Sequence, residues 1–557
     1  MYPNVRRIRP ATPPAQPAGT IPQSEPQTKA AWAATGSGTI GPANQAEPSG
    51  GTAGSDAPLP IPMKAELAGP DERVERRPPV LPWLAVLFVG AGVIGAWFLI
   101  APALGSGPYY RPVLYRSSYG YNRQILPLFV PYGLALWAWW RGSRIAVRWL
   151  FGGALLLHLL VLFAPPPQSQ DLFQYLFYGR MQAAFHANPY AIQPVRYWLD
   201  SWYGLIQWPT QTSVYGPAWT LLSFGVAKAA GSNLPMAVVL MKLAILAMDL
   251  GVIACILALS RGRRDPEGAA GWGLLVYAWN PLILIAVPLG GLVDVGVAAA
   301  LLAGFLARRR GRTWLATVLF TVAALVKIYA GIGLLLHLVL VARQRSRREA
   351  GWHAALGTGL AVAAFAPYWT GWQTFHGVVR IADRSNKSFT GMIQRLLVPV
   401  VEFFANVDAL NVAAAIVRWV VLPLLVLAVL WAVHRARSEV TLAHGALVVL
   451  SLYTLLTPWS LYWYLVAPIA IAAVLPRNRL TVPLLVFSGT SLFTAAFWPW
   501  LLGQVTQASL RYIPPIAVYL WEGHRERGRR ARGIGPGPVA PLPLDLEEDA
   551  GRSITLV

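Results

Sequence analysis

The chain of 557 residues contains a single cysteine, Cys255. An internal disulfide is therefore impossible, and no Cys/His set at zinc-type spacing exists. Charge is also scarce, at 13% of residues against 55% hydrophobic. Soluble domains carry about a quarter charged residues, so most of this chain is not built for water. Acidic residues are the scarcer sign, 24 against 46 basic, for a net charge of +22. Such an excess can mark a nucleic-acid binder. Here, however, the basic residues fall in short runs between apolar stretches and at the ends, where the positive-inside rule puts them in a membrane protein. No cleavable signal peptide is expected, because the first apolar run begins near Val80.

What is present is a succession of apolar runs close to the ~20 residues needed to cross hydrocarbon, with a mean hydropathy of +0.47. The expected fold is an all-α polytopic membrane protein of roughly 12 to 14 transmembrane helices, with short interfacial helices in two large external loops. Residues 1–78, rich in Pro, Ala, Gly and Ser, read as a disordered cytoplasmic tail. Residues 79–522 form the transmembrane domain and 523–557 a basic, then acidic, tail. Spans are expected at 80–101, 125–140 and 145–164, followed by an external loop at 165–213. Tyr215, Gly216 and Pro217 open the next run, with Pro suited to a first helical turn. Residues 313–341 read as one bent or two short helices around Lys327. The second external loop is 370–410. The parity does not close between 214 and 264. With two full spans there, the basic run Arg261 to Arg264 would lie outside. Either one run is not a full span or the charge rule fails.

The segment from Pro165 to Tyr190 is the most informative. Read as a helix, it puts Asp171, Gln174, Tyr175, Tyr178 and Gln182 on one face. Leu172, Phe173, Leu176 and Phe177 share the other, toward lipid or neighbouring helices. Arg180 falls on the apolar side and must snorkel or find a partner. Asn188, Pro189 and Tyr190 end the helix with turn chemistry. Two readings fit: a capped interfacial helix with Asp171 as its N-terminal charge, or the floor of an active site.

Other ionisable groups sit at membrane depth, where they are costly. Lys327 reads as an anchor for an anionic group or as a snorkelling lysine. Lys242 and Asp249, seven apart on one helix face, read as a structural pair. Asp294 follows Asn280, Pro281, Gly290 and Gly291, a broken stretch of the kind that lines cavities. The second loop carries Arg380, Arg384, Lys387 and Arg395 among Ser, Asn and Thr donors. That cluster suits a phosphate, or it is a basic loop touching lipid headgroups. Tyr175, Tyr178, Tyr190, Tyr215 and Trp459 can stack on sugar rings or form an interfacial belt. Together these parts suit glycosyl transfer from a lipid phosphate. A carboxylate takes the acceptor proton, and cations receive the departing phosphate.

The ordered motifs resemble the C superfamily (GT-C) of integral-membrane glycosyltransferases. They are most similar to the polyprenyl-phosphomannose-dependent α-mannosyltransferases and family 87 enzymes. The pieces are Ser169 to Asp171 with Tyr175, Tyr178 and Gly179; Asn188 with Tyr190; Tyr215 to Pro217; Trp279 to Pro281; the Lys327 segment; Ser385 to Ser388 with Gly391 and Arg395; and Pro458 with Trp459. The resemblance implies Asp171 as the catalytic residue in a first external loop. It also implies a polyprenyl-phosphate sugar donor, inversion at the anomeric carbon, and a cell-envelope glycan or lipid acceptor. Lys327, Arg380 and Lys387 would then hold the donor phosphate. Tyr175, Tyr178, Asn188, Tyr190, Tyr215, Asp294 and Trp459 would bind substrate. The chain departs from the pattern twice. The position paired with the first-loop Asp is not acidic, which leaves a divalent metal (Mg or Mn) open. Leu292, Val293 and Asp294 stand where His, Asn and Asp are expected of mannosyltransferases. The rival reading is a multi-spanning transporter or lipid-linked sugar flippase using Asp249, Lys242 and Lys327 as a relay.

Overall fold

A computed structural model describes residues 128–531, except 143, 163–170, 383–387, 405–406, 476–477 and 498–502. The N-terminal tail, the 80–101 run, Ser169 and Lys387 lie outside the described residues. The described chain is α-helical, with no strand beyond one isolated bridge between Thr370 and Trp372.

In chain order the helices are α1 (Phe129–Trp140), α2 (Val147–Leu162), α3 (Asp171–Phe185), α4 (Pro217–Ala230), α5 (Leu234–Ser260) and α6 (Pro266–Val276). Then come α7 (Pro281–Leu284), α8 (Asp294–Arg309), α9 (Thr313–Val326), α10 (Gly331–Gln344), α11 (Arg347–Phe365) and α12 (His376–Ala382). The last six are α13 (Phe389–Phe404), α14 (Ala409–Arg435), α15 (Glu439–Leu456), α16 (Val466–Val474), α17 (Thr481–Phe497) and α18 (Gln504–Ala531). The starts follow from sequence. Asn233, Asp265, Asn280, Ser346 and Asp408 each accept a first-turn N–H, and Ser438 with Thr441 makes a capping box.

Three helices, α5, α14 and α15, are long and apolar enough to cross a bilayer, and α6 with α7 makes a fourth candidate bent by 57°. Five further apolar segments are shorter, among them α2 and α9. Helix α14 leaves Trp419, Val420 and Leu427 exposed, an apolar face suited to lipid. Helix α8 is the centre: Val295, Val297, Leu301 and Leu302 are fully buried against α5, α9 and α16.

Helix α4 has 14 residues, about 21 Å at 1.5 Å per residue, and hydrocarbon is about 30 Å thick. It is shorter than a full span, as are α1, α2 and α9 with 12, 16 and 14 residues.

Two helix breaks position the site. The expected break at Lys327 is present. Helix α9 ends there in extended backbone, and a single turn, Ile328–Ala330, leads into α10. After α7 the chain continues as a π-turn, Ile285–Leu289, through Pro288 to Gly290 and Gly291, the latter at φ +70°. Such turns interrupt the regular ladder and recur at functional sites. This one delivers Asp294 to the first turn of α8.

The expected pair between Lys242 and Asp249 does not form. Asp249 instead bonds His158 Nδ1 at 2.5 Å and accepts from Tyr277 at 2.9 Å. Lys242 donates to the Leu162 carbonyl at 2.7 Å. One turn of α2 separates His158 from Leu162, so two polar groups on one face of α5 serve two different neighbours.

Candidate active site

Helix α3 carries Asp171 as its first residue, where the helix dipole favours a negative charge. The two faces expected of this helix exist, but neither lies on lipid. Residues 171 to 179 are all buried, because α3 packs between α4 and neighbouring elements. Gly179 makes the close approach possible, since a Cβ there would collide with the Ser223 carbonyl. Arg180 finds the partner it needs: Nε donates to Asp200 Oδ2 at 2.7 Å, over the Trp202 ring. Asp200, distant in sequence, is thus part of the loop's framework.

Beside Asp171 lies a cluster of phenols. The Tyr175 ring meets Tyr215 edge-on at 4.7 Å and Trp219 at 5.3 Å. Tyr178 donates to the Gln211 carbonyl at 2.7 Å. The charge of Asp171 reaches Tyr175, Tyr178, Tyr215, Tyr462 and Tyr464. That of Asp294 reaches Tyr175, Tyr329, Tyr453 and Tyr464. Tyr175, one turn along α3 from Asp171, links the two segments: its hydroxyl accepts from the N–H of Val293, the residue before Asp294, at 3.4 Å.

Lys327 closes the cluster. Its ammonium donates to Asp294 Oδ2 at 2.8 Å and sits 4.5 Å from the Tyr464 ring centre. Tyr329 donates to Asp294 Oδ1 at 2.5 Å. The acidic partner of Lys327 is thus 33 residues away, beyond any helical-turn rule. Gly216 brings the first loop against this break. Its N–H donates to the Val326 carbonyl at 3.0 Å, and a Cβ there would strike the Leu325 carbonyl.

Asn188 ties the first loop to the end of the segment that follows α11, and Tyr190 anchors the backbone of Tyr215. Asn188 Nδ2 donates to the Tyr368 carbonyl at 2.9 Å, and Tyr368 donates to Gln182 at 2.8 Å. Tyr190 donates to the Tyr215 carbonyl at 2.7 Å, and burial pushes its hydroxyl well up, so it stays a donor. Arg380, exposed on α12, reaches the Thr210 carbonyl at 3.4 Å. Trp459 packs edge-on against Trp208, whose N–H donates to Gln174 at 3.0 Å. It forms a rim and not the centre.

Tyr329, Tyr453 and Tyr464 were not among the expected site residues. The rings of Tyr329 and Tyr453 stack at 4.8 Å. The sequence offered one hint, Tyr329 two residues after Lys327. The donor set does not fit a dedicated metal cage: no three His, Cys, Asp or Glu side chains converge among the described residues. Both oxygens of Asp294 are already bonded.

Residues 84–343 match the family described as alpha-(1->6)-mannopyranosyltransferase, N-terminal domain. The matched region contains Asp171, Asp294 and Lys327. The chain is also 26% identical, over 426 residues, to alpha-(1->6)-mannopyranosyltransferase A of Mycobacterium tuberculosis, covering 70% of this chain and 80% of that protein. With the apolar all-helical architecture, these matches support a glycosyltransferase similar to the alpha-(1->6)-mannopyranosyltransferases.

Proposed function

We propose that the protein transfers mannose from a polyprenyl-phosphate donor to a cell-envelope glycan or glycolipid, with inversion, at a site on the external face of a multi-pass membrane domain. The observation that carries this reading is the chain of contacts that runs from the Asp171 helix through Tyr175 to the turn at Val293 and Asp294 and on to Lys327 and the Tyr464 ring. Asp171 accepts the proton of the acceptor hydroxyl. The hydroxyl oxygen attacks the anomeric carbon from the side opposite the phosphate. The bond from that carbon to the phosphate oxygen breaks, and the phosphate leaves with the electron pair. Inversion to an α-linked product requires a β-linked donor. The leaving phosphate is a weak base, so it needs positive charge more than a proton. Lys327 contributes the N–H donors left after Asp294, and Arg380 and Lys387 add charge from the second loop. Tyr175, Tyr178 and Tyr215 supply the aromatic wall for the sugar.

A lipid-borne donor accounts for a site set among membrane helices. It also separates this reading from a transporter. Asp249, Lys242 and Lys327, the groups a transporter relay would use, bond to His158, the Leu162 carbonyl and Asp294 respectively, and not to one another. The direct assay uses purified protein in proteoliposomes, with polyprenyl-phosphate mannose or GDP-mannose as donor. Mannose should reach the acceptor from the first only. Transfer from GDP-mannose alone would reject the lipid donor.

The external placement has its own check. In a Cys255→Ser background, Ser201→Cys lies in the exposed first loop and Glu267→Cys at the start of α6. An impermeant maleimide should label the first in intact cells and the second only after permeabilisation. The reverse pattern would put the active site on the cytoplasmic side.

A further inference from the structure

Arg511 lies on α18, 8% exposed. Its Nε donates to Ser491 Oγ and its Nη1 to the Ser460 carbonyl, both at 3.0 Å. Its Nη2 is buried with no hydrogen bond. No carboxylate among the described residues pairs with it. Other arginines with a buried, unbonded nitrogen differ: Arg308 and Arg479 have Glu439 and Glu526 within 4 Å, and Arg263 is only partly buried. The neighbouring Tyr512 hydroxyl is likewise buried and unbonded, and the guanidinium carbon lies 5.0 Å from its ring. The rings of Tyr512 and Phe487 offset part of the desolvation cost. They cannot accept the Nη2 protons in the manner of an oxygen. A buried guanidinium nitrogen without an acceptor, and no carboxylate among the described residues to offset its charge, call for an anion with acceptor oxygens; the adjacent residue adds a second buried hydroxyl donor.

The location is informative. Ser460 lies just before the turn that carries Tyr462 and Tyr464, and the Lys327 ammonium sits 4.5 Å from the Tyr464 ring centre. Phe389, where the second loop enters α13, packs on Tyr512 at 5.9 Å. Arg511 therefore stands behind the wall of the tyrosine cluster and beside the end of the basic loop. Lys327, by contrast, has its charge cancelled by Asp294.

We propose that Arg511, with the Tyr512 hydroxyl, forms a buried subsite for the phosphate of the lipid donor. The guanidinium fork matches phosphate oxygens as a lone ammonium does not. The subsite holds the phosphate while its bond to the sugar breaks and retains the polyprenyl phosphate until release. This rests on the lipid-phosphate reading above.

The test uses full-length wild type, Arg511→Lys and Arg511→Met in nanodiscs, with polyprenyl phosphate as probe and phosphatidic acid as competitor. Binding is read by thermal stabilisation and by product inhibition of transfer. Arg511→Met should weaken polyprenyl-phosphate binding at least roughly tenfold, and Arg511→Lys by less, since it keeps the charge but loses the fork. If Arg511→Met does not fold, the lysine variant carries the test, and wild-type affinity there overturns the proposal. Unchanged affinity in Arg511→Met overturns it as well. So does rescue of the Arg511→Met melting temperature by Asp383→Asn, which would reveal an internal partner among residues outside those described. Equal displacement by phosphatidic acid would assign a lipid headgroup and overturn the donor assignment. Wild type that binds polyprenyl phosphate yet transfers no mannose defeats the proposed function and leaves this subsite standing. Wild type that transfers mannose, with Arg511→Met binding unaltered, defeats the subsite alone.

Discussion

Asp171→Asn is expected to lower mannosyl transfer by roughly two to four orders of magnitude, the usual contribution of a positioned general base. Asparagine keeps the shape and one acceptor oxygen but cannot take a proton. Asp171 is 8% exposed and opens α3, so the variant loses a charge at the helix start. Its stability cost should stay near the 0.3–1 kcal/mol typical of a charge at a helix terminus, and the melting temperature should barely move. The acceptor and donor KM values should change little, because the lost interaction belongs to the transition state. Turnover equal to wild type in Asp171→Asn would remove this residue as the base and return attention to the tyrosine cluster. A collapse of the melting temperature together with activity would instead mark Asp171 as a framework charge, like Asp200.

The parts of the fold that were legible in sequence are those set by local chemistry. The break at Lys327 follows from a basic residue in an apolar run, and Pro217 opens α4 as first-turn prolines do. The irregular approach to Asp294 could be read from Asn280, Pro281, Gly290 and Gly291. Pairings between distant segments could not be read. Lys327 with Asp294, Arg180 with Asp200 and His158 with Asp249 are set by tertiary packing, not by helical spacing. The same limit misassigned Lys242 and Asp249: residues seven apart share a face, yet each turned to a different neighbour. Helix α3 is a related case. Its pattern suggested a surface helix with one polar and one apolar side, but both sides are buried, because an apolar face does not tell lipid from protein. Asn188 and Tyr190 stood out through their turn chemistry, and in the structure they bond backbone carbonyls of Tyr368 and Tyr215. Arg511 gave no signal, because one arginine near the end of an apolar run looks like any interfacial charge.

Lys327→Met is expected to be strongly destabilising, and its partner substitution separates structure from catalysis. The methionine would leave Asp294, which is fully buried, without its ammonium and with only Tyr329 as a bonded side chain. Breaking a buried pair from one side typically costs about 3–5 kcal/mol. Adding Asp294→Asn removes the stranded charge. The double variant should therefore recover to within about 1 kcal/mol of wild type in detergent unfolding, because replacing both partners is often close to neutral. If Lys327 only holds the tyrosine cluster in place, activity should return with stability. If its remaining N–H donors serve the donor phosphate, the stable double variant should still show a donor KM raised at least tenfold, about 1.4 kcal/mol. Its acceptor KM should be near normal. The amide at 294 keeps an acceptor for Tyr329, so the stack of Tyr329 on Tyr453 should persist and cannot by itself account for a donor-specific defect. A double variant with wild-type donor KM would confine Lys327 to positioning and leave Arg511 and the second loop as the sources of positive charge.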